Sequence, residues 1–120
     1  MLTDIATVLA GLVAVGIILI GVRFLLQPVA SAEGFGVPVP MNAYLTVKGV
    51  RDITAGLVVL PALVTGDRHM LGWLILASVF APLGDMVVVL RNGGPRAVAF
   101  GVHGLTAAVM AAAAAVLILM

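Results

Sequence analysis

A chain of 120 residues that is 63% hydrophobic and only 9% charged has too little polar material to coat itself for water. So small a body has much surface for its volume, and ordinary globular domains are about 45–50% apolar and about 25% charged. A net charge of +1, with no clustering of Lys/Arg among aromatics, excludes a nucleic-acid partner, and the absence of cysteine excludes disulfides, thiolate catalysis and cysteine-based zinc sites.

In chain order, Met1-Leu2-Thr3-Asp4 lacks the positive start of a signal peptide. The apolar run behind it, from about Ile5 to Leu26, is too long for a signal core. It reads as a retained membrane helix with Thr3 or Asp4 as N-cap. The stretch Gln27 to Asn42 holds Pro28, Gly34, Gly36, Pro38 and Pro40. An ordinary connecting loop is the leading expectation there, and one or two helical turns from Pro28 to Glu33, lying as a lid, are the alternative. Further apolar segments run from about Tyr44 to Thr65, Met70 to Leu90 and Arg96 to Met120, each near the twenty residues that span a hydrocarbon core. Pro82 should kink the third by freeing the carbonyl of Ser78. Gly66-Asp67-Arg68-His69 and Asn92-Gly93-Gly94-Pro95 are tight turns, and short links make neighbouring helices antiparallel. The expectation is one all-α domain over residues 1–120, an antiparallel bundle of four transmembrane helices.

Basic residues set the expected orientation. The first and third connections carry Arg23, Arg91 and Arg96, with Lys48 and Arg51 just inside the second helix, and the opposite side has Arg68. The positive-inside rule then places those two connections in the cytoplasm and both termini outside, in a bacterial inner membrane.

Charge inside a membrane helix needs a reason. Lys48, Arg51 and Asp52 lie roughly 6–12 Å into the second helix, Asp85 roughly 8 Å before the third ends, and His103 roughly 10 Å after the fourth begins. With Arg23 these are six polar groups in one layer, in the cytoplasmic half. Lys48, Asp52, Ala55, Gly56 and Val59 share one stripe, and Asp85 and His103 each line up with small residues that admit a neighbouring helix. The structural alternative is that Arg51 with Asp85, and Lys48 with Asp52, are ion pairs that only fix helix register.

Three chemistries fit the layer. One is a pocket for a small lipophilic molecule, with Arg23, Lys48, Arg51 and Tyr44 as ligand contacts and a surplus positive charge for a carboxylate or phosphate. The second is acid/base catalysis, with Asp52, Arg51 and Asp85 opening, hydrating or isomerising such a molecule and His103 relaying protons. The third is transport of a proton or small anion, which needs a homodimer, joined through Gly104, Ala108 and Ala112 or through Ala107, Ala111 and Ala115. A subunit that only holds a membrane complex together stands beside these. A metal site from Asp52, Asp85 and His103 is opposed by the cations beside Asp52 and by the lack of ligand spacing, and no cofactor is expected. No serine or threonine has a nucleophile motif.

Gly21-Val22-Arg23-Phe24-Leu25, Gly34-Phe35-Gly36, Tyr44 to Ile53, Gly84-Asp85 and Val102-His103-Gly104 together resemble a family of small four-helix membrane proteins of bacteria and fungi, catalogued as a domain of unknown function. Lys48-Gly49-Val50-Arg51-Asp52 is the most specific part, and the architecture is more loosely similar to DoxX-like proteins. The resemblance implies fold and location, with Arg23, Lys48, Arg51, Asp52, Asp85 and His103 as its recurring polar positions. It implies no activity.

Overall fold

A computed structural model describes all 120 residues and is all-α, without strands. Its elements are α1 (Leu2–Leu26), α2 (Pro28–Phe35), α3 (Ala43–Thr65), α4 (Arg68–Ser78), α5 (Phe80–Arg91), α6 (Arg96–Val98), a π-helical turn (Ala99–Gly104) and α7 (Leu105–Leu119). The long axis of 44 Å matches a bilayer with its headgroups, about 40–45 Å. Three helical stretches, Leu2–Leu26, Arg68–Arg91 and Arg96–Leu119, are long and apolar enough to cross a membrane.

The distribution of side-chain sizes says what surrounds these helices. On α1 the buried positions are Ala6, Ala10, Ala14, Gly21 and Phe24, while Leu12 and Leu19 face outward. On α7 the buried set again includes Ala107, Ala113 and Ala114, with Leu119 outside. Small residues inside and large apolar ones outside is the pattern of helices solvated by lipid, where close approach of backbones gains more than apolar burial does. The chain is a membrane protein.

α3 packs along α1, α7 lies against both α1 and α4, and α3 meets α4. The α1–α3 seam is glycine-made. A Cβ at Gly21 would sit 2.5 Å from the Gly49 carbonyl oxygen, and one at Gly49 would sit 2.7 Å from the Gly21 carbonyl oxygen. Further along, a Cβ at Gly56 would collide with Ile18 and with the Ala14 carbonyl.

Three local features depart from the expected elements. Neither Thr3 nor Asp4 caps α1: the helix begins at Leu2, the Thr3 carbonyl accepts the Thr7 hydroxyl, and Asp4 sits in the first turn beside the terminal ammonium. The connection after α1 is no ordinary loop. Pro28 starts the two-turn helix α2, which closes on Gly36 in the left-handed region at φ 101°. The last rod contains the π turn, one extra residue wound into the helix around His103. The third rod is interrupted at Val79, three residues before Pro82, with the backbone there still in the right-handed helical region. α3 packs on α4 but makes no comparable contact with α5, and the rods are less closely packed at the end where α2 lies.

Because no side chain at the glycine seam can yield, Gly21→Ala should destabilise the fold by about 1–3 kcal/mol through overpacking. Gly16, around which a Cβ would meet nothing within 4 Å, should accept alanine without loss. Unfolding of both variants in detergent, followed by circular dichroism, checks the contrast.

Candidate functional site

The site forms where the rods separate. α1 brings Phe24, α3 brings Lys48 and Asp52, α5 brings Asp85, the π turn brings His103, and α2 brings Phe35 across the top. Asn42 caps α3 by accepting from the Tyr44 amide, which sets the helix so that Lys48 and Asp52 fall on its inner face. Gly49, one residue on from Lys48, is the position that lets α1 come close enough for Phe24 to reach the lysine.

Two polar pairs result. In the first, Lys48 Nζ donates to Asp52 Oδ2 at 2.7 Å, with the two side chains 28% and 15% exposed. The same ammonium lies 4.5 Å from the centroid of Phe24 and 4.8 Å from that of Phe35. One carboxylate and two ring faces therefore replace its water, each cation–π contact contributing about 0.5–2 kcal/mol. In the second, His103 is buried, with Nδ1 4.0 Å from Asp85 Oδ2 and Nε2 2.9 Å from the carbonyl oxygen of Phe35. A carbonyl can only accept, so Nε2 carries a hydrogen. Nδ1 then faces Asp85 Oδ2 at 4.0 Å, beyond direct hydrogen-bond reach, so the two groups are neighbours without a hydrogen bond between them.

Phe35 joins the pairs. Its ring lies 4.5 Å from the imidazole, tilted by 53°, and also meets the Lys48 ammonium. The following Gly36 fits against Val89 of α5 and Val98 of α6, where a Cβ would press on both. The lid thus reaches from α1 across α3 to α5 and α6. Beneath it Phe24, Ala32 and Leu45 form a small apolar core separate from the main one. The Ser31 hydroxyl, on the same helix, is buried with no hydrogen-bond partner. Most other helical hydroxyls of the chain, among them Thr7, Thr54, Ser78 and Thr106, donate to the carbonyl four residues back.

Of the residues singled out from sequence, Lys48, Asp52, Asp85 and His103 are brought together. Arg23, Arg51 and Tyr44 are exposed and outside the cluster, Tyr44 being 81% exposed. Arg51 forms no ion pair with Asp85 or Asp52, so the Asp–Arg–Asp arrangement is absent and the carboxylates are partnered by Lys48 and His103 instead. That leaves the arginines outside the cluster, whose one lysine is paired with Asp52. Asp52, Asp85 and His103 do not converge as a metal-ligand set. Phe24, Phe35 and Ser31 did not stand out in the sequence, although Gly34-Phe35-Gly36 offered a signal, an aromatic between two glycines in a breaker-rich connection. Two open clefts lie elsewhere, one of about 540 Å³ near Asp4 and Asp67 and one of about 460 Å³ between α5 and α7. The polar cluster is filled by Phe35.

The chain belongs to the family described as a domain of unknown function, DUF4267, which it matches over residues 14–117. No curated protein and no solved structure matches it.

The Lys48–Asp52 pair has a measurable signature. Lys48→Met strands a half-buried carboxylate and should cost about 1–3 kcal/mol. Lys48→Met with Asp52→Leu removes both charges and should recover most of that loss. A double-mutant cycle on detergent-solubilised protein measures the coupling.

Proposed function

We propose that this DUF4267 protein crosses the bilayer four times, with α3 as the charged crossing, and that its lid end holds a small lipophilic molecule with a neutral, hydrogen-bonding head. Transfer of a proton to or from that head by His103 and Asp85 is part of the proposal. The lid end faces the cytoplasm in this reading, because Arg23, Arg51, Arg91 and Arg96 gather there, and both termini face away from it.

The observation that carries the reading is the position of Phe35. It occupies the space between two polar pairs and takes the Nε2 hydrogen of His103 on its own carbonyl. Its helix is bracketed by Gln27, at φ −135° and ψ 65°, and by the left-handed Gly36, two points at which the backbone is not helical. Lifting α2 about these points would uncover Lys48 and His103 together, beside the separation between α3 and α5 through which a lipophile can arrive from the bilayer. An oxygen of the ligand then takes the place of the Phe35 carbonyl. His103 donates from Nε2 while Nδ1 recovers a proton from Asp85, or the transfers run in reverse. Lys48 and the unpartnered Ser31 hydroxyl are further donors for the same head.

Electroneutrality narrows the ligand. With the arginines outside, an anionic head would leave a buried charge unpaired, whereas a carbonyl, hydroxyl, ether or epoxide oxygen would not. The chemistry open to transfer of one proton is epoxide opening, hydration or isomerisation.

Mass spectrometry of small molecules that co-purify in a mild detergent tests the proposal. A lipophile enriched on the wild type, lost from folded His103→Gln and released faster from Phe35→Ala is the expected outcome. A wild type that carries nothing above the bulk lipid, with His103→Gln differing only in stability, would sink it.

A further inference from the structure

Five arginines are present, and four of them stand at the lid end without an ion-pair partner. Arg23, Arg51, Arg91 and Arg96 are all exposed, and the ion pairs of the chain are Met1 with Asp4, Lys48 with Asp52 and His103 with Asp85. Glu33, exposed on α2, is the remaining carboxylate of that end. Arg23 lies three residues before α1 ends, Arg91 closes α5 and Arg96 opens α6. Those are places from which a long side chain reaches the headgroups unaided.

Arg51 is different. It lies eight residues after Ala43, roughly 12 Å along α3. It also points away from α1, roughly 150° round the helix from Gly49 and Gly56, which make the α1 contact. Packing between α3 and α5 is sparse, and the exposed guanidinium stands on a face of α3 that α1 does not cover. Below it, the uncharged part of α3 runs only from Ile53 to Thr65, roughly 20 Å, against a hydrocarbon core of about 30 Å. Along α3 the polar boundary of the membrane has to come inward to meet Arg51, and what meets it has to be anionic. Asp52 and Asp85 on the inner side are already faced by Lys48 and His103.

We infer that Arg51 holds the phosphate of an anionic membrane phospholipid drawn into the opening between α3 and α5, with Arg23, Arg91 and Arg96 gathering the same lipid class around the lid end. The guanidinium fork suits two phosphate oxygens at once, and the lipid's chains would run down the exposed apolar faces that flank the opening. This inference rests on Arg51 and the helix separation, and stands apart from the reading of the inner pairs.

Native mass spectrometry of the whole protein released from nanodiscs of equimolar phosphatidylglycerol and phosphatidylcholine tests it. The wild type should retain phosphatidylglycerol in preference, and Arg51→Gln should lower that retention about tenfold, the weight of one charge-assisted hydrogen bond. Arg51→Lys, which keeps the charge and loses the fork, should fall between them. Arg68→Gln, at the opposite end, should match the wild type. Equal retention of the two lipids by the wild type, or an Arg51→Gln variant that behaves as wild type, overturns the inference. Loss of the bound lipid on adding inorganic phosphate would assign the site to a free anion and overturn the lipid as its occupant. Should Arg51→Gln lose its helical circular dichroism, the comparison of Arg51→Lys with wild type, together with a titration of phosphatidylglycerol against the wild type, decides in its place. Absence of saturable retention there counts against the site.

Discussion

The backbone contact between Gly21 and Gly49 is the constraint on which the rest of this molecule depends. A Cβ at either position would meet the other's carbonyl oxygen, so α1 and α3 touch backbone to backbone there. In lipid, where apolar burial gives little net drive, such proximity is what holds helices together. It also has a chemical result. Lys48 precedes Gly49, and Phe24 follows Gly21 by three residues, so the same contact that joins the helices presents an aromatic face to the ammonium. Fold and site share one seam.

From that seam the polar groups are arranged to cancel. Each carboxylate of the interior has a basic side chain beside it, Lys48 for Asp52 and His103 for Asp85, and aromatic rings cover the ammonium. The charges that do not cancel lie outside, where water or headgroups can reach them. This division explains how a chain with few charged residues keeps four ionisable groups within one bundle. Phe35 completes it by filling the gap between the pairs and accepting the one imidazole hydrogen that would otherwise be unpartnered.

Much of this was legible in the sequence. Apolar runs near twenty residues, broken by Gly-Asp and Asn-Gly turns, announce membrane helices, and the depths of Lys48, Asp52, Asp85 and His103 announce a common layer. The pairing was harder to read. Arg51 and Asp52 are adjacent, and on a helix adjacent residues differ by about 100°, so a small error in facing exchanges an interior role for an exterior one. Lys48 wins the carboxylate because it stands four residues before Asp52, the spacing at which helical side chains meet. The lid was masked by its own composition. Pro28 begins a helix as readily as it ends one, and Gly34 and Gly36 read as loop until the helix between them is seen. The π turn left no signal at all in residue type, since it is a matter of winding.

That winding has a consequence for how the last rod is built. An α-helix ties the orientation of every residue to every other, so a residue suited to the lid end would fix which face α7 shows to α1 and α4. The extra residue between Ala99 and Gly104 breaks the tie. The segment carrying His103 has its own angular setting, and the alanine face from Ala107 to Leu117 keeps another. Rewinding the turn as regular α-helix with all its residues kept would swing Arg96–Val98 round by roughly 100° relative to that face. Lid-facing and helix-facing surfaces on one rod can thus drift independently, with the turn acting as a swivel joint whose steps are whole residues.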